Sequence, residues 1–365
     1  MATSVYLDNE LAPRPPDEVV DFLRPFFNRK AYGSPKVPHQ PGLEAYEFVE
    51  EVLDYLSSHF RSDGDLTIVG SGTEANNLAI WSILESPDRR GNVVVSSVEH
   101  ESILGMVDRL SSAGIHVRRV PVDREGRVIP EELTRAIDRD TLLVSVQMVN
   151  QETGTIQDID AVSDITREKD VLLHVDACDA LGRIPIDLSR VDLLSLSGSK
   201  IYGPRGTGIL YAREDLDLNP MMSGSPGIQT LTPVDINIPS LAGFYMALRL
   251  FGSPEAWREA KRARDEIAEE IGDLVDEMNS PPDSVDTVNF SLREGAGSLI
   301  VEASSRGLYL SQGTSESPSR VLLAMGRSRD LAANSLMLRI HPYIRPDEVE
   351  LSIEVLTDLL KERGR

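Results

Sequence analysis

From about residue 45 to residue 212, short apolar runs alternate with amphipathic stretches. The runs are 66–69, 93–96, 117–120, 142–146, 172–175, 193–196 and 208–211, rich in Val, Leu and Ile except that 117–120 holds two arginines between its valines. Runs this short, with no polar alternation, read as strands buried on both faces. Between several of them lie 74–84, 100–112 and 159–169, where apolar residues recur at helical spacing. Strand and helix in alternation predict βαβ units around a mostly parallel sheet.

The pattern changes after residue 212. Residues 213–240 are rich in Pro, Gly and Thr and read as a long irregular connection, a kind of loop that is usually functional or disordered. Beyond it, 254–278 reads as a long charged helix, with short strands near 285–292 and 336–340 and a final helix over 347–361. The expected organisation is a large α/β domain over 15–240 and a smaller α+β domain built from 1–14 and 241–365. The chain has neither an internal repeat nor a low-complexity tract.

Composition narrows the function classes. With 41% hydrophobic and 26% charged residues the chain is ordinary globular material. No apolar stretch is long enough to span a bilayer, and the first residues lack the basic and apolar segments of a secretion signal, so a cytoplasmic location is expected. The formal charge of −22 argues against nucleic acid or anionic membrane as a partner. Lys30, Lys36, Lys169, Lys200, Lys261 and Lys361 are all the lysines among 37 cations. Many carboxylates with few lysines suit a surface adapted to high salt, or else reflect an arginine-biased genome. The single cysteine, Cys178, excludes an internal disulfide and any cysteine-based zinc site, and no metal site is expected.

Four features carry possible chemistry. Lys200 ends Ser197-Gly198-Ser199-Lys200, directly after an apolar run, where small residues free hydroxyls and amides to hold an anion. Asp176, in His174-Val175-Asp176-Ala177, closes the preceding run, a position that faces the ligand crevice of open α/β sheets; the plainer reading is a helix cap. Gly70-Ser71-Gly72-Thr73 opens a helix just past a strand and makes an anion cradle. His100 follows another strand, where an imidazole stacks or relays a proton, although a lone histidine is more often structural. Together, a lysine amine, a strand-end carboxylate, an anion cradle and a histidine fit pyridoxal phosphate. That cofactor needs an amine for its aldehyde and a carboxylate to keep its ring nitrogen protonated.

These residues sit in a wider set of motifs. Tyr6-Leu7-Asp8, Tyr32-Gly33-Ser34-Pro35, Gly72-Thr73-Glu74-Ala75-Asn76-Asn77-Leu78-Ala79, Val98-Glu99-His100, Val149-Asn150-Gln151-Glu152-Thr153-Gly154, His174-Val175-Asp176-Ala177 and Ser197-Gly198-Ser199-Lys200-Ile201-Tyr202-Gly203-Pro204 occur in this order. Over nearly its whole length the chain resembles the cysteine desulfurases, class V aminotransferases with the fold-type I architecture of pyridoxal-phosphate enzymes. The resemblance implies a large domain with a mostly parallel seven-stranded sheet and a smaller α+β domain. It implies that Lys200 carries the cofactor, Asp176 partners its ring nitrogen, His100 stacks on the ring, and Thr73 and Ser197, with the Gly72 turn, hold its phosphate. It also implies a homodimer in which a threonine from the neighbouring subunit reaches the phosphate, and Thr232 is the best match.

The departures from the family bear on function. The family's nucleophilic cysteine sits on a loop matched here by 310–319, which contains none; Glu316 stands about where it belongs. Cys178 lies two residues past Asp176 and reads as a small buried hydrophobe. Asp179 replaces the family's glutamine beside the cofactor's phenolic oxygen. Gln151 replaces the usual asparagine, with Asn150 just before it, and Ser199 replaces a histidine while remaining able to donate to phosphate. The arginine that clamps the substrate carboxylate falls at Leu338, with Arg339 one place off. A one-residue slip points Arg339 to the opposite face, whereas a local shift in alignment restores it. Three readings remain open. One is sulfur mobilisation from a small amino acid, chiefly L-cysteine, with a sulfur-acceptor partner. Another is a different pyridoxal-phosphate lyase or aminotransferase. The third is a non-catalytic cofactor-binding dimer acting as a scaffold.

Overall fold

The computed structural model of the chain describes residues 4–84, 91–112, 114–224, 229, 231–233, 235–313 and 317–363. Its strands are β1 (Val5–Tyr6), β2 (Asp65–Val69), β3 (Asn92–Ser96), β4 (His116–Val120), β5 (Thr141–Gln147), β6 (Leu172–Asp176), β7 (Leu193–Ser197), β8 (Gly208–Ala212), β9 (Glu277–Met278), β10 (Thr287–Ser291), β11 (Leu308–Tyr309) and β12 (Ser335–Arg339). Strands β2 to β8 form one seven-stranded sheet in the order β2-β8-β7-β6-β5-β3-β4. Only β8 runs against its neighbours; the remaining pairs are parallel. The mostly parallel α/β sheet expected from the sequence is present, and each of the seven apolar runs supplies one strand.

Both faces of the sheet's central strands are covered, which is why these carry no polar alternation, whereas the edge strand β4, with Arg118 and Arg119, is mostly not buried. Every residue of β3, β7 and β8 is buried. Successive side chains still leave on opposite faces: Val93 and Val95 join an apolar cluster with the helices Gly72–Leu84 and Glu101–Ser112. Val94 joins the larger core on the other face, with Val175, Leu196, Phe244 and Trp257. The chain steps from β3 outward to β4, but from β5 through β6 to β7 in the opposite direction. That reversal opens a crevice at the carboxyl ends of the strands, where such sheets bind ligands.

The C-terminal part carries the antiparallel sheet β12-β10-β9 and the final helix Pro346–Arg363. The charged helix expected over 254–278 is shorter. It is a 3-10 turn Pro254–Trp257, a helix Arg258–Ile271, a second 3-10 turn Gly272–Leu274 and then β9. Gly272 weakens the helical run, and Glu277 and Met278 find antiparallel partners in Ser291 and Phe290. The helix Ile238–Phe251 begins inside the stretch read as irregular. Asn237 caps it through a hydrogen bond from the Ser240 amide (3.2 Å), and Pro239 stands in the first turn, where a proline costs no hydrogen bond. At the other end of the chain, β1 pairs in parallel with β11, and Asn9 Nδ2 donates to the carbonyl of Arg339 (3.0 Å). The segment after β1 is thereby drawn toward the carboxyl ends of the large sheet.

Candidate active site

The carboxyl ends of β2, β3, β6 and β7 open on a cavity of about 350 Å³, whose walls include Gly72, Thr73, His100, Asp176, Asp179, Ser197, Ser199 and Lys200. Residues far apart in sequence meet here because a parallel sheet brings all its strand ends to one edge. At the β2 end, Ser71 caps the helix Gly72–Leu84 by accepting from the Glu74 amide (3.1 Å), and Glu74 reaches back to the Gly70 amide (2.8 Å). This reciprocal cap fixes the helix N-terminus at the cavity, whose walls include Gly72 and Thr73. A side chain at Gly72 has no room, because a Cβ there lies 2.5 Å from Cys178 Sγ. Ser197 and Ser199 stand opposite, their hydroxyls 3.2 Å apart. Arg205 and Thr207 complete this wall.

Asp176 ends β6 with both oxygens oriented. Its Oδ2 accepts from Asn76 Nδ2 (2.7 Å) and its Oδ1 from the Cys178 amide (3.0 Å). Asn76 Nδ2 also reaches Ser102 Oγ (2.9 Å), which lies 2.8 Å from His100 Nδ1. The Ser102 amide donates to the same Nδ1 (3.1 Å), which makes that nitrogen the acceptor and leaves the ring proton on Nε2. Asn76 and Ser102 thus tie the carboxylate to the imidazole. Asn76 belongs to the glycine-led motif, but nothing in its spacing singles it out.

Lys200 lies between two carboxylates. Its Nζ donates to Glu10 Oε1 and stands 3.5 Å from Asp179 Oδ2. Burial disfavours the ammonium, but Asp179 and Glu10 outweigh it and hold the Lys200 pKa above its ordinary value. Burial likewise opposes the Asp179 carboxylate, yet Lys200, Arg339 and Arg183 bring its pKa down to about 2. Asp179 Oδ1 accepts from Arg339 Nη2 (2.5 Å), and Asp286 Oδ2 takes Arg339 Nε (3.1 Å) and Arg183 Nε (2.7 Å). Arg183 also lies over the Trp257 ring and donates to the Lys200 carbonyl (3.1 Å). A continuous buried chain of alternating charge therefore runs Glu10–Lys200–Asp179–Arg339–Asp286–Arg183. The register of β12 sends Arg339 into this chain, so of the two orientations open in the sequence the inward one is found. Its guanidinium is already shared between Asp179 and Asp286.

Other expected site residues lie elsewhere. Asn150 is committed to its own turn: Oδ1 accepts from the amides of Glu152 and Thr153 (both 2.9 Å) and Nδ2 donates to the Val98 carbonyl (3.2 Å). Neither Asn150 nor Gln151 lines the cavity; Thr232, expected at a neighbouring subunit's phosphate and not at its own, is buried and not among these walls. Glu316 lies outside the described residues. Cys178 does line the cavity, but burial, with Asp176 beside it, pushes its thiol pKa well above the ordinary value, so the sulfur stays protonated. Glu10, 190 residues from Lys200, has no counterpart among the sequence-derived candidates.

These walls fit pyridoxal phosphate. A helix N-terminus, hydroxyls and Arg205 offer donors to a phosphate, oriented Asp176 suits a protonated ring nitrogen, and Lys200 offers a primary amine. The class V aminotransferase family matches residues 5–325. Cysteine desulfurase IscS 1 of Archaeoglobus fulgidus is 32% identical, over 95% of each chain. A cysteine desulfurase of Bradyrhizobium diazoefficiens is 33% identical, over 88% of this chain and 85% of its own. Among solved structures, a NifS-like protein superposes with a TM-score of 0.90 at 28% identity, covering 98% of this chain and all of its own. The family match over residues 5–325 and the likeness from end to end, with a cavity that fits the cofactor, make this protein a member of the class V aminotransferase family of pyridoxal-phosphate enzymes, related to the cysteine desulfurases.

Proposed function

We propose that the protein mobilises sulfur from a small amino acid, with L-cysteine as the first substrate to test, and that the sulfur leaves to a thiol outside this chain. The observation that carries this reading is the meeting of Lys200, Asp176, His100 and the Gly72 helix terminus at one cavity. Lys200 holds the cofactor's aldehyde and then moves the proton at the substrate Cα. Asp176 keeps the ring nitrogen protonated, His100 covers the ring, and Thr73, Ser197 and Ser199 hold the phosphate. When bound, the cofactor supplies an electron sink for charge developing at Cα. Recognition of an α-carboxylate by Arg339 competes with Asp179 and Asp286, which sets a cost on substrate binding that a free guanidinium does not carry.

The only thiol of the chain is Cys178, and its burial and raised pKa make it a poor acceptor for sulfane sulfur. The same observation favours a second reading, elimination by Lys200, which needs no protein sulfur acceptor. One incubation with L-cysteine, with and without an added thiol, decides between them by sulfide, alanine, pyruvate and protein mass. Sulfur transfer gives alanine that depends on the added thiol, with the protein mass unchanged. Elimination gives pyruvate and ammonia with sulfide. Alanine accompanied by an adduct of about 32 Da on Cys178 defeats the view of that thiol as structural. Intact cofactor absorption without product from any amino acid leaves a scaffold role.

A homodimer belongs to the same proposal. Phe27, Tyr32, Val37, Leu43 and Tyr46 are exposed apolar side chains within one twenty-residue stretch, Phe27 at 68%. Such exposure, where it forms one patch, is what an association surface shows. Light scattering is expected to give twice the 40.2 kDa chain mass, and Phe27→Glu with Tyr32→Glu to shift it toward the monomer. A wild-type monomer at working concentration removes the dimer, and with it the assignment of Thr232 to a neighbour's phosphate.

A further inference from the structure

Lys200 is not merely neutralised; it is held in one direction. Glu10 accepts a hydrogen bond from its Nζ through Oε1, while Oε2 is buried, 3.9 Å from Arg339 Nε, with no hydrogen-bond partner among the described residues. The backbone on either side of Glu10 is tied down. Asn9 Nδ2 donates to the carbonyls of Tyr6 (3.1 Å) and Arg339 (3.0 Å), and Arg205 Nη2 donates to the Leu11 carbonyl (2.9 Å). Asp179, the other carboxylate near Lys200, is engaged by Arg339 and stands farther from Nζ than an ordinary hydrogen bond allows.

We propose that Glu10 is the proton-transfer partner of Lys200, taking a proton from the ammonium so that the amine becomes available to a carbonyl without exchange with bulk water. The transfer breaks one Nζ–H bond and forms one Oε1–H bond, converting ammonium and carboxylate into amine and carboxylic acid. The charged groups facing the pair are Asp179 and Arg339, and both affect it. Burial first, and then Asp179, raise the Glu10 pKa, while Lys200 and Arg339 pull it down less strongly. A carboxyl so placed accepts a proton more readily than Asp179, which its cationic neighbours keep ionised. The reactive pair has the same total charge as the resting ion pair. Its population therefore does not change with pH between the titrations of the two groups, and this is the signature that separates transfer to Glu10 from loss of a proton to solvent.

The proposal rests on the cofactor reading, and two measurements keep their failures apart. The first needs no cofactor: NMR titration of the Lys200 side chain in lysine-labelled, cofactor-free protein, assigned against Lys200→Arg. Glu10→Gln removes one of two neighbouring negative charges and is expected to lower the Lys200 pKa by about one unit or more. The second is the rate at which added pyridoxal phosphate develops its visible band. In the wild type the rate is expected to stay level from neutral to mildly alkaline pH. In Glu10→Gln it is expected to rise about tenfold per pH unit, because the proton must then leave to solvent. A Lys200 titration unmoved by Glu10→Gln overturns the proposal, as does a wild-type rate that itself climbs tenfold per unit. The wild-type profile decides the matter even if the variant does not fold. Protein that takes up no pyridoxal phosphate at any pH defeats the cofactor reading instead, and the NMR titration still decides Glu10.

Discussion

Lys200→Ala is expected to leave a protein that binds pyridoxal phosphate weakly and shows none of the visible absorption of the lysine-bound cofactor. Among the described residues Lys200 is the only lysine lining the cavity, so no neighbour substitutes for it. Loss of the proton-transfer role proposed for it is expected to lower turnover roughly 10²–10⁴-fold, and loss of the proposed covalent attachment to add to that. The variant also leaves Glu10 buried without its cation. Glu10 is then expected to take up a proton, so the fold survives while the chemistry does not. A small primary amine added to the solution is expected to restore part of the turnover but not the covalent attachment. Visible absorption and turnover equal to wild type in Lys200→Ala would sink the assignment of this lysine.

The second large effect concerns stability. Asp286 is 1% exposed and takes both Arg183 Nε and Arg339 Nε. Replacing a whole buried ion cluster, carboxylate and arginines together, by apolar residues need not be costly, but deleting one member of it leaves its partners charged and desolvated. Asp286→Ala is expected to destabilise the protein by about 3–5 kcal/mol, read from the midpoint of denaturant unfolding. Asp179 and Glu10 are then the carboxylates left to Arg339, and both are also partners of Lys200, so cofactor loading is expected to change with stability. A loss below about 1 kcal/mol would mean that water or another acceptor already shields the two guanidinium groups.

The two effects have a common source in the way the site is assembled. The walls of the cavity come from strand ends of one sheet. The charges behind them come from outside those strands: Glu10 after β1, Asp286 before β10 and Arg339 at the end of β12. Substitutions in the C-terminal part are for that reason expected to reach Lys200, although they lie outside the strands that carry it.

The amino-acid sequence alone determined the large sheet, because strands buried on both faces must be short, apolar and β-branched, and that pattern needs no knowledge of what covers them. It also placed Gly72, Thr73, His100, Asp176, Ser197, Ser199 and Lys200 at strand ends, and the sheet brings them to one cavity for the simple reason that parallel strands end on one side. Tertiary structure decided the rest. The helix Ile238–Phe251 escapes a periodicity reading because it is apolar on nearly every face, having neighbours all round. The strand Glu277–Met278 exists because Phe290 and Ser291 offer it partners, against the helical preference of the residues before it. Asn150 stands by position as a cofactor ligand, but its own turn uses its side chain. Glu10 is invisible as a site residue in the sequence, since no local spacing links it to a lysine 190 positions away. Pattern reports which face of an element is buried. Which charge meets which is settled only when separate elements pack, because a buried ion must find its partner wherever the chain happens to bring one.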